Sequence, residues 1–345
     1  MKILRVSASS GESLVVVGES IERLRSYCQG GNVVIVTDGL VRELHGHQFP
    51  PFPVIEIGVG EESKTLGTVH GVYEGLLRFE ADRSFSVVAI GGGVVCDVAG
   101  FAASTYLRGL SFGFVPTTLL AQVDASVGGK NGINLHGYKN LIGTFTQPGF
   151  VLCDFDLLQT LPRVELINGI AEVVKQAAIG DPQLFAFLEE NRVSVLSLSP
   201  EVIERVVHDS LRIKAAVVSR DEKEGGERRK LNFGHTIGHA LEKVHHLKHG
   251  EAVSVGMAAA ARLSVAKGLL SGSDADRLEA LLANFALPAR TVVDPTSVID
   301  ALRKDKKRED EVIHFVLLDD IGSARIVPLE LGEIEEVING MRESG

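Results

Sequence analysis

The chain has 345 residues, of which 45% are hydrophobic and 23% are charged, with 45 acidic and 35 basic side chains. This length exceeds what one hydrophobic core commonly supports, so we expect two domains, and the composition is too apolar for a disordered chain. The formal net charge of -10 argues against a protein that binds nucleic acid through a broadly basic surface.

The cysteine pattern and the apolar runs indicate where the protein works. Three scattered cysteines without CxxC spacing favour neither a disulfide framework nor a thiolate zinc site. The most apolar late run, residues 252–270, is interrupted by Arg262 and Lys267, and the N-terminal segment has no signal-like apolar core. We therefore expect a cytoplasmic protein with no nucleic-acid partner and no membrane partner.

Short β-branched runs alternate with helical patterns through residues 1–155. The predicted strands are SLVVVG, NVVIVTDG, PVIEIG, SVVAIGGG, SFGFVP and GFVLCD. Runs that are apolar at almost every position are buried on both faces, which is typical of a parallel sheet covered by helices. Residues 1–155 are therefore predicted to form an α/β, Rossmann-like, doubly wound domain.

Three features of this half are compatible with a nucleotide site. Asp38 closes the strand NVVIVTD, where it can accept hydrogen bonds from a ribose or serve the turn. Glu61 and Lys64, in GEESKTL, stand at a predicted helix start, where capping is the alternative. The triple glycine in VVAIGGGVVCDVAGF separates a strand from a helix and can face a pyrophosphate, but its spacing is not GxGxxG, so tight packing is an equal interpretation.

The next segment, residues 116–145, is rich in Gly and Asn and is predicted to be a loop. It carries Asp124, Lys130, Lys139 and Asn140. Lysines supply point charges for an anion, and Asp and Asn side chains can bind hydroxyl groups. In an acidic protein these residues favour a site for a polyhydroxylated anion over a merely solvated loop.

Helical periodicity dominates residues 156–345, which are predicted to form a mostly helical second domain. The predicted helices are VELINGIAEVVKQAAIG, PEVIERVVHDSLRIKAAVVSRDE, TIGHALEKV, EAVSVGMAAAARLSVAKGL and DADRLEALLANF. Near the end, VIHFVLL and SARIVPL are predicted to pair as a hairpin across the DDIGS turn.

Five of the eleven histidines fall within residues 231–253. His235 and His239 are four residues apart and share one helix face, but Thr236 stands where an HExxH motif has its glutamate. Two imidazoles and one carboxylate suit a catalytic divalent metal, and His249 and Glu172 are the further candidates. The spacing alone does not choose which two histidines bind.

Several long motifs occur in the order in which 3-dehydroquinate synthases have them. They include GEESKTL, IGGGVVCDVAGFAASTYLRG, VPTTLLAQVDASVGGKNGIN, KNLIG, GIAEVVK, LNFGHTIGHALE, HGEAV and DKK. Over nearly its whole length the chain resembles this family of sugar phosphate cyclases. The resemblance implies an N-terminal NAD-binding domain, a mostly α-helical C-terminal domain with a catalytic zinc or cobalt ion, and a homodimer.

The resemblance also implies roles for individual residues. The metal ligands would be Glu172, His235 and His249. The catalytic residues would be His239, Lys130, Asn140, Lys175, Asp124 and Glu224. The substrate contacts would be Lys139, Lys214, Arg228, Asn232, one of Lys306 and Lys307, and Arg108 reaching across the dimer. The NAD contacts would be Asp38, Glu61, Lys64, Gly92, Gly93, Val94, Asp97, Thr117, Thr118, Lys130 and Lys139.

The implied reaction converts 3-deoxy-D-arabino-heptulosonate 7-phosphate to 3-dehydroquinate and phosphate, a step of the shikimate pathway toward aromatic amino acids. It proceeds by transient oxidation with NAD, β-elimination, reduction, ring opening and aldol cyclisation, so no net redox change results. The alternatives are a cyclase that makes an inosose or a valiolone, a metal-dependent NAD polyol dehydrogenase, and a non-catalytic nucleotide-binding protein. Lys214 and Arg228, as carboxylate contacts, favour the first interpretation.

Overall fold

The computed structural model describes residues 1–28, 31–245, 247–291, 294–306 and 312–340. By its contacts the chain forms two compact units, one of Met1–Leu166 with Leu198–Lys223 and one of Ile167–Ser197 with Glu224–Gly345. The single boundary after residue 155 stays a prediction, because compactness does not measure which segments fold independently.

The described residues contain eleven strands and twelve α-helices. The strands are β1 (Lys2–Ala8), β2 (Gly11–Val17), β3 (Val33–Asp38), β4 (Val54–Ile57), β5 (Ser86–Gly91), β6 (Ser111–Pro116), β7 (Lys130–Leu135), β8 (Tyr138–Phe145), β9 (Phe150–Cys153), β10 (Val312–Asp320) and β11 (Ser323–Glu330). The helices are α1 (Gly39–His45), α2 (Leu66–Arg78), α3 (Gly93–Thr105), α4 (Arg163–Gly180), α5 (Pro182–Glu190), α6 (Arg192–Leu196), α7 (Pro200–Arg220), α8 (His235–His245), α9 (His249–Ala266), α10 (Gly272–Asn284), α11 (Pro295–Lys306) and α12 (Leu331–Gly340).

A seven-stranded sheet organises the first unit, in the order β1-β2-β9-β6-β5-β3-β4. All pairings are parallel except that of β1 with β2. Every residue of β3, β5 and β9 is buried, which explains why these strands read as continuous apolar runs. The six predicted strands and the predicted doubly wound α/β class are confirmed.

Helical layers cover the sheet. One apolar cluster joins alternate residues of neighbouring strands to the 3-10 helix Ile21–Tyr27, through Val33, Ile35, Val88, Ile90, Val115, Phe150, Leu152, Ile21 and Leu24. Helix α3 contributes nothing to that cluster and packs against β3, β5 and β6. Alternation along a strand sends successive side chains to opposite faces, so each strand supplies both layers.

Two parts of the first unit differ from the prediction. Strand β1 was not predicted, because its residues are mostly half-buried or exposed and its sequence lacks a continuous apolar run. The prediction of a loop is wrong for residues 130–145, where β7 and β8 form an antiparallel hairpin. His136 and Gly137 both have positive φ, at 50° and 79°, which suits a two-residue turn between twisted strands.

The second unit is mostly helical, as predicted, and β10 and β11 form the predicted hairpin. Glycine permits a close approach of α8 and α9, since a Cβ at Gly256 would lie 3.1 Å from the main-chain N of Gly238. The starts of both helices carry histidines, so this close packing brings the two imidazoles together. None of the described helices combines the length and the hydrophobicity that a membrane span needs.

Candidate active site

Three elements of the second unit converge on a group of metal-ligating side chains. Helix α4 contributes Glu172, helix α8 begins at His235 and helix α9 begins at His249. One ligand atom of each residue lies within 4.8 Å of the others, which among the described residues identifies this trio as a possible metal site. His239, one turn along α8, is exposed and stands outside the trio, with its ring centroid 5.2 Å from that of His235.

The two imidazoles present the same nitrogen to the same carboxylate oxygen. Nε2 of His249 lies 3.0 Å from Oε1 of Glu172, and Nε2 of His235 lies 3.5 Å from that oxygen. Ligand atoms about 2.1 Å from a tetrahedral zinc ion stand roughly 3.4 Å from one another. The observed separations therefore suit one small divalent ion.

The far nitrogens of both rings are held from behind. Nδ1 of His249 lies 2.6 Å from Oε1 of Glu242, a carboxylate that is almost fully buried. Nδ1 of His235 lies 3.3 Å from the main-chain oxygen of Phe233. Each acceptor favours a proton on Nδ1 and so leaves the Nε2 lone pair for a metal.

Charge in this group is balanced by a buried lysine. Lys175, one turn after Glu172 on α4, forms an ion pair with Oε2 of Glu172, and both side chains are buried. Burial raises the pKa of Glu172, but Lys175, His235 and the hydrogen bond with His249 outweigh it and hold that pKa well below its usual value. The carboxylate therefore stays ionised, as a metal ligand must.

The two imidazoles differ in the direction of their pKa shifts. Burial, the charge of Lys175 and the other histidines hold the pKa of His235 well below its usual value, although Glu172 opposes them, so its ring is neutral. For His249, burial is outweighed by Glu172 and Glu242, which raise its pKa to about 9. A metal must displace a proton from His249. Two imidazoles and one carboxylate leave a coordination position open for a substrate, which fits a catalytic ion.

The second group of predicted residues lies at the carboxyl edge of the sheet in the first unit. The strand order reverses between β3 and β5, and ligands of doubly wound sheets bind where such a reversal occurs. Asp38 ends β3 and Gly92 and Gly93 follow β5, so the reversal brings these predicted NAD contacts to one edge. Thr117 joins them, since its N–H donates to the oxygen of Gly91 at 3.0 Å.

Both interpretations of these residues find support in the geometry. Oδ1 of Asp38 accepts the N–H of Val41 at 2.8 Å and caps α1, which is the turn interpretation. Gly91 is explained by packing, because a Cβ there would lie 2.6 Å from Cβ of Val95. Helix α3, however, begins at Gly93 without a side-chain cap, so its first N–H groups can face an anion.

A hydrogen-bonded chain links the predicted NAD contacts to the β7–β8 hairpin. Nζ of the buried Lys64 contacts Oδ2 of Asp97 and Oδ1 of Asn140, each at 2.5 Å. Burial raises the pKa of Asp97, and Lys64 partly offsets this effect. On the hairpin itself, Lys130 and Lys139 are exposed. The structure thus brings Lys64, Asp97 and Asn140 together.

Another predicted pair joins the turn that follows β6 to helix α7. Asp124 lies in a π-helical turn, Ala121–Ala125, a distortion that often marks functional sites. Nζ of Lys214, from α7, donates to Oδ1 of Asp124 at 2.7 Å and to its main-chain oxygen at 2.5 Å. Lys214 is buried, whereas Asp124 is half-buried.

The remaining predicted residues lie in separate places. In the second unit Nδ2 of Asn232 donates to Oε1 of Glu224, and Glu224 has a φ of 62°, which is unusual for a non-glycine residue. Arg228, which lies between these two residues in the sequence, is buried. In the first unit Arg108 is exposed in a left-handed turn with φ of 65°. Lys307 lies outside the described residues, and only the backbone of Lys306 is described, at the end of α11.

Sequence reasoning missed two side chains that complete these groups. Glu242 holds His249, and Asn134 links the hairpin to Glu61 and to Asn140. Glu242 is an acidic residue on the helix that begins at His235, which was the only available signal. Asn134 carried no signal, because its role depends on a hairpin that was not predicted.

Comparison with known proteins identifies the family. Residues 54–168 match the family model described as 3-dehydroquinate synthase N-terminal, and residues 169–308 match the one described as 3-dehydroquinate synthase C-terminal. A 3-dehydroquinate synthase of Dehalococcoides mccartyi (strain CBDB1) is 40% identical over 342 residues, which cover 94% of this chain and 95% of that relative. The chain belongs to the 3-dehydroquinate synthase family.

Solved structures extend this likeness beyond the family to other cyclases. A 2-epi-5-epi-valiolone synthase from Streptomyces hygroscopicus subsp. jinggangensis 5008, with NAD+ and Zn2+ bound, is 29% identical, with a TM-score of 0.88 over 100% of this chain and 99% of that chain. A 2-deoxy-scyllo-inosose synthase complexed with carbaglucose-6-phosphate, NAD+ and Co2+ is 28% identical, with a TM-score of 0.87 over 98% of this chain and 100% of that chain. The fold of the 3-dehydroquinate synthase family is thus shared with cyclases of other products.

Proposed function

We propose that this chain acts as a 3-dehydroquinate synthase, a carbon–oxygen lyase that converts 3-deoxy-D-arabino-heptulosonate 7-phosphate to 3-dehydroquinate and phosphate in the shikimate pathway. The observation that carries the proposal is the convergence of Glu172, His235 and His249 in a chain of this family. A fold alone would not support a reaction, since one fold hosts many activities. A metal-ligating group with an open position provides the site.

NAD and a divalent ion, zinc or cobalt, are the cofactors we assign. When bound, they supply reversible hydride acceptance and Lewis-acid polarisation of a substrate hydroxyl. NAD is assigned to the sheet edge, where the uncapped start of α3 and the reversal between β3 and β5 provide an anion site and a crevice. The metal is assigned to Glu172, His235 and His249.

The buried lysine beside the metal ligands has a defined task in this proposal. Lys175 pairs with Oε2 of Glu172, the oxygen that faces away from the two imidazoles. Its ammonium keeps the carboxylate ionised in a buried site and orients the other oxygen, Oε1, toward His235 and His249. Lys175 therefore neutralises the charge of Glu172, and its amine can hold a proton beside the metal site.

Anionic groups of the substrate need cationic side chains in an acidic protein. We assign the substrate carboxylate to Lys214 and Arg228, and the phosphate to Lys130, Asn140, Asn232 and His239. Lys214 is held by Asp124 and Arg228 is buried, so neither loses much side-chain entropy when a ligand arrives. Glu224 orients Asn232 through their hydrogen bond. Lys139 and one of Lys306 and Lys307 complete the proposed set.

We further propose a cytoplasmic homodimer in which Arg108 reaches the partner's phosphate site. Leu107 and Arg108 are exposed, and both have positive φ, at 50° and 65°. A positive φ costs conformational free energy for a non-glycine residue, and such residues cluster at functional sites. The division into a domain of residues 1–155 and one of residues 156–345 belongs to the same proposal.

A second candidate is a sugar phosphate cyclase that makes an inosose or a valiolone, because two such enzymes share this fold almost completely. Phosphate release from three substrates distinguishes the candidates. We expect release from 3-deoxy-D-arabino-heptulosonate 7-phosphate only, and a Lys214→Met variant should raise its KM. Release from sedoheptulose 7-phosphate or glucose 6-phosphate instead would overturn the proposal and remove the carboxylate role of Lys214.

A further inference from the structure

We propose that Asn134 is a positioning residue that fixes the part of β8 carrying Lys139 and Asn140 and connects it to the Glu61–Lys64 segment. The inference rests on the proposed function, which places Lys139 and Asn140 at the substrate and Glu61 and Lys64 at the dinucleotide. It adds a residue to that machinery and a coupling between its two halves.

The register of the β7–β8 hairpin shows why this position is special. Ile133 pairs with Ile142 and Leu135 pairs with Tyr138, so the single residue Asn134 faces the three residues 139–141. Extra residues in one strand form a β-bulge, which re-aims side chains and is frequent beside active sites. Both predicted ligand-binding side chains of this strand, Lys139 and Asn140, lie in the bulge.

Asn134 supplies the hydrogen bonds that the regular ladder lacks here. Its Oδ1 accepts the N–H of Asn140 at 2.9 Å, and Asn140 has a left-handed φ of 53°. Its Nδ2 donates to Oε1 of Glu61 at 2.7 Å, and its main-chain N donates to the oxygen of Lys64 at 2.9 Å. These opposite polarities fix the orientation of the amide, because a flip would set a donor against a donor and an acceptor against an acceptor.

The contacts close a ring between the two ligand-binding segments. Lys64 donates to Oδ1 of Asn140, Asn140 donates its N–H to Asn134, and Asn134 donates to Glu61, three residues before Lys64. A shift of the Glu61–Lys64 segment therefore moves the bulge. Dinucleotide contacts and substrate contacts are coupled through Asn134 within the first unit.

A purely structural role for Asn134 is distinguishable, because the far end of the hairpin is anchored independently. Nδ2 of Asn131 donates to the oxygens of Gly129 and Thr146, each at 3.0 Å. Oγ of Ser104 on α3 lies 2.9 Å from Oγ1 of Thr144. Asn134 itself is half-buried, so its replacement should leave the hairpin folded.

The test exchanges the two polar partners. In Asn134→Asp the oxygen that accepts from Asn140 is kept, but the other oxygen meets the carboxylate of Glu61. In the double variant Asn134→Asp with Glu61→Gln, the new amide can donate to the new carboxylate and restore the link. Steady-state phosphate release gives kcat and KM for each variant and for Glu61→Gln, and thermal unfolding checks the fold. His136→Asn, in the exposed turn with positive φ, is the matched control.

We expect Asn134→Asp to lower kcat/KM about tenfold in the wild-type background and less than about threefold in the Glu61→Gln background, because one hydrogen bond to a charged group is lost and regained. His136→Asn should stay near wild type. Equal losses in both backgrounds, or wild-type kinetics of Asn134→Asp, would overturn the proposal.

Hydrogen exchange of the Asn140 amide separates this inference from the function itself. The amide should exchange about tenfold faster in Asn134→Ala, which removes its acceptor, and at the wild-type rate in Asn134→Asp, which retains it. A wild-type rate in Asn134→Ala would overturn the positioning role. If the wild-type chain releases no phosphate, the proposed function fails and the exchange rates alone decide the role of Asn134.

Discussion

Replacement of Glu242 tests how the metal centre is built. This carboxylate contacts Nδ1 of His249 at 2.6 Å from within the protein interior, on the side of the ring opposite Glu172. It therefore sets the tautomer of His249, fixes the ring plane and places a negative charge behind a cationic metal. Glu242→Gln keeps an oxygen that can accept from Nδ1 and removes only the charge, whereas Glu242→Ala removes both.

The expected magnitudes follow from these separate contributions. Loss of an outer partner of a metal-bound histidine weakens metal affinity about 10- to 100-fold, which is about 1.4–2.7 kcal/mol. We expect Glu242→Gln near the lower limit, because the tautomer is preserved. Glu242→Ala should lie near the upper limit, because Nδ1 then has no acceptor in a largely buried place and the ring is free to rotate.

Competition with a chromophoric chelator measures the affinity for zinc or cobalt directly, without any activity assay. Glu279→Gln is the matched control, since it makes the same change in an ion pair with Arg262 in the same unit, away from the histidines. Circular dichroism checks that each variant is folded. Wild-type metal affinity in both Glu242 variants would exclude a role of Glu242 in the metal site, and so would an equal loss in Glu279→Gln.

Three further predictions concern stability, packing and assembly. Burial raises the pKa of Glu222, but hydrogen bonds from Ser10, Ser9 and Gln147 outweigh it and lower the pKa to about 2. Ionised Glu222 therefore stabilises the fold above the ordinary carboxyl pKa, and this stabilisation is lost as the pH falls toward 2. In denaturant titrations Glu222→Gln should lower the free energy of unfolding by about 1–2 kcal/mol at pH 7 and by almost nothing near pH 2. A decrease that does not depend on pH would contradict this prediction. Gly91→Ala should destabilise the fold by about 1–3 kcal/mol, because the added Cβ meets Val95. Gly71→Ala, in open space on α2, should stabilise the fold slightly. Thermal unfolding measures both changes, and the opposite signs would contradict the role of Gly91 in packing. Inactive Arg108→Ala and Glu172→Ala chains, mixed and allowed to exchange subunits, should recover about one quarter of wild-type activity if Arg108 acts across a dimer, and no recovery would refute that arrangement.

The parallel sheet could be predicted because strands buried on both faces are apolar at almost every position of the sequence. Strands β3 and β5 are buried at every position and appear as unbroken apolar runs. Strand β1 has no such run, since its side chains are mostly exposed or half-buried. The β7–β8 hairpin differs from the predicted loop because its glycines and asparagines serve tertiary contacts, as where Gly100 of α3 makes room for the side chain of Asn131.

The site could be predicted only in part for a related reason. Residue types and spacing do not decide which two of His235, His239 and His249 bind the metal. The resemblance to the family motifs predicts His235 and His249. The partners of these residues carry no local signature, because they are defined by distance in space. Glu242 precedes His249 by seven residues and lies on a different helix. Asn134 acts through a β-bulge, which the periodicity of the sequence does not predict. Both follow from packing, which a single sequence does not display.

We propose that this chain makes 3-dehydroquinate with a recycled NAD and a metal held by Glu172, His235 and His249. The most direct measurement adds NAD and zinc, separately and together, to chelator-stripped protein with 3-deoxy-D-arabino-heptulosonate 7-phosphate, and follows phosphate, 3-dehydroquinate and NADH absorbance. We predict equal amounts of phosphate and 3-dehydroquinate only when both cofactors are present, with no lasting NADH. Product formation without the metal, or NADH that accumulates with turnover, would exclude this mechanism.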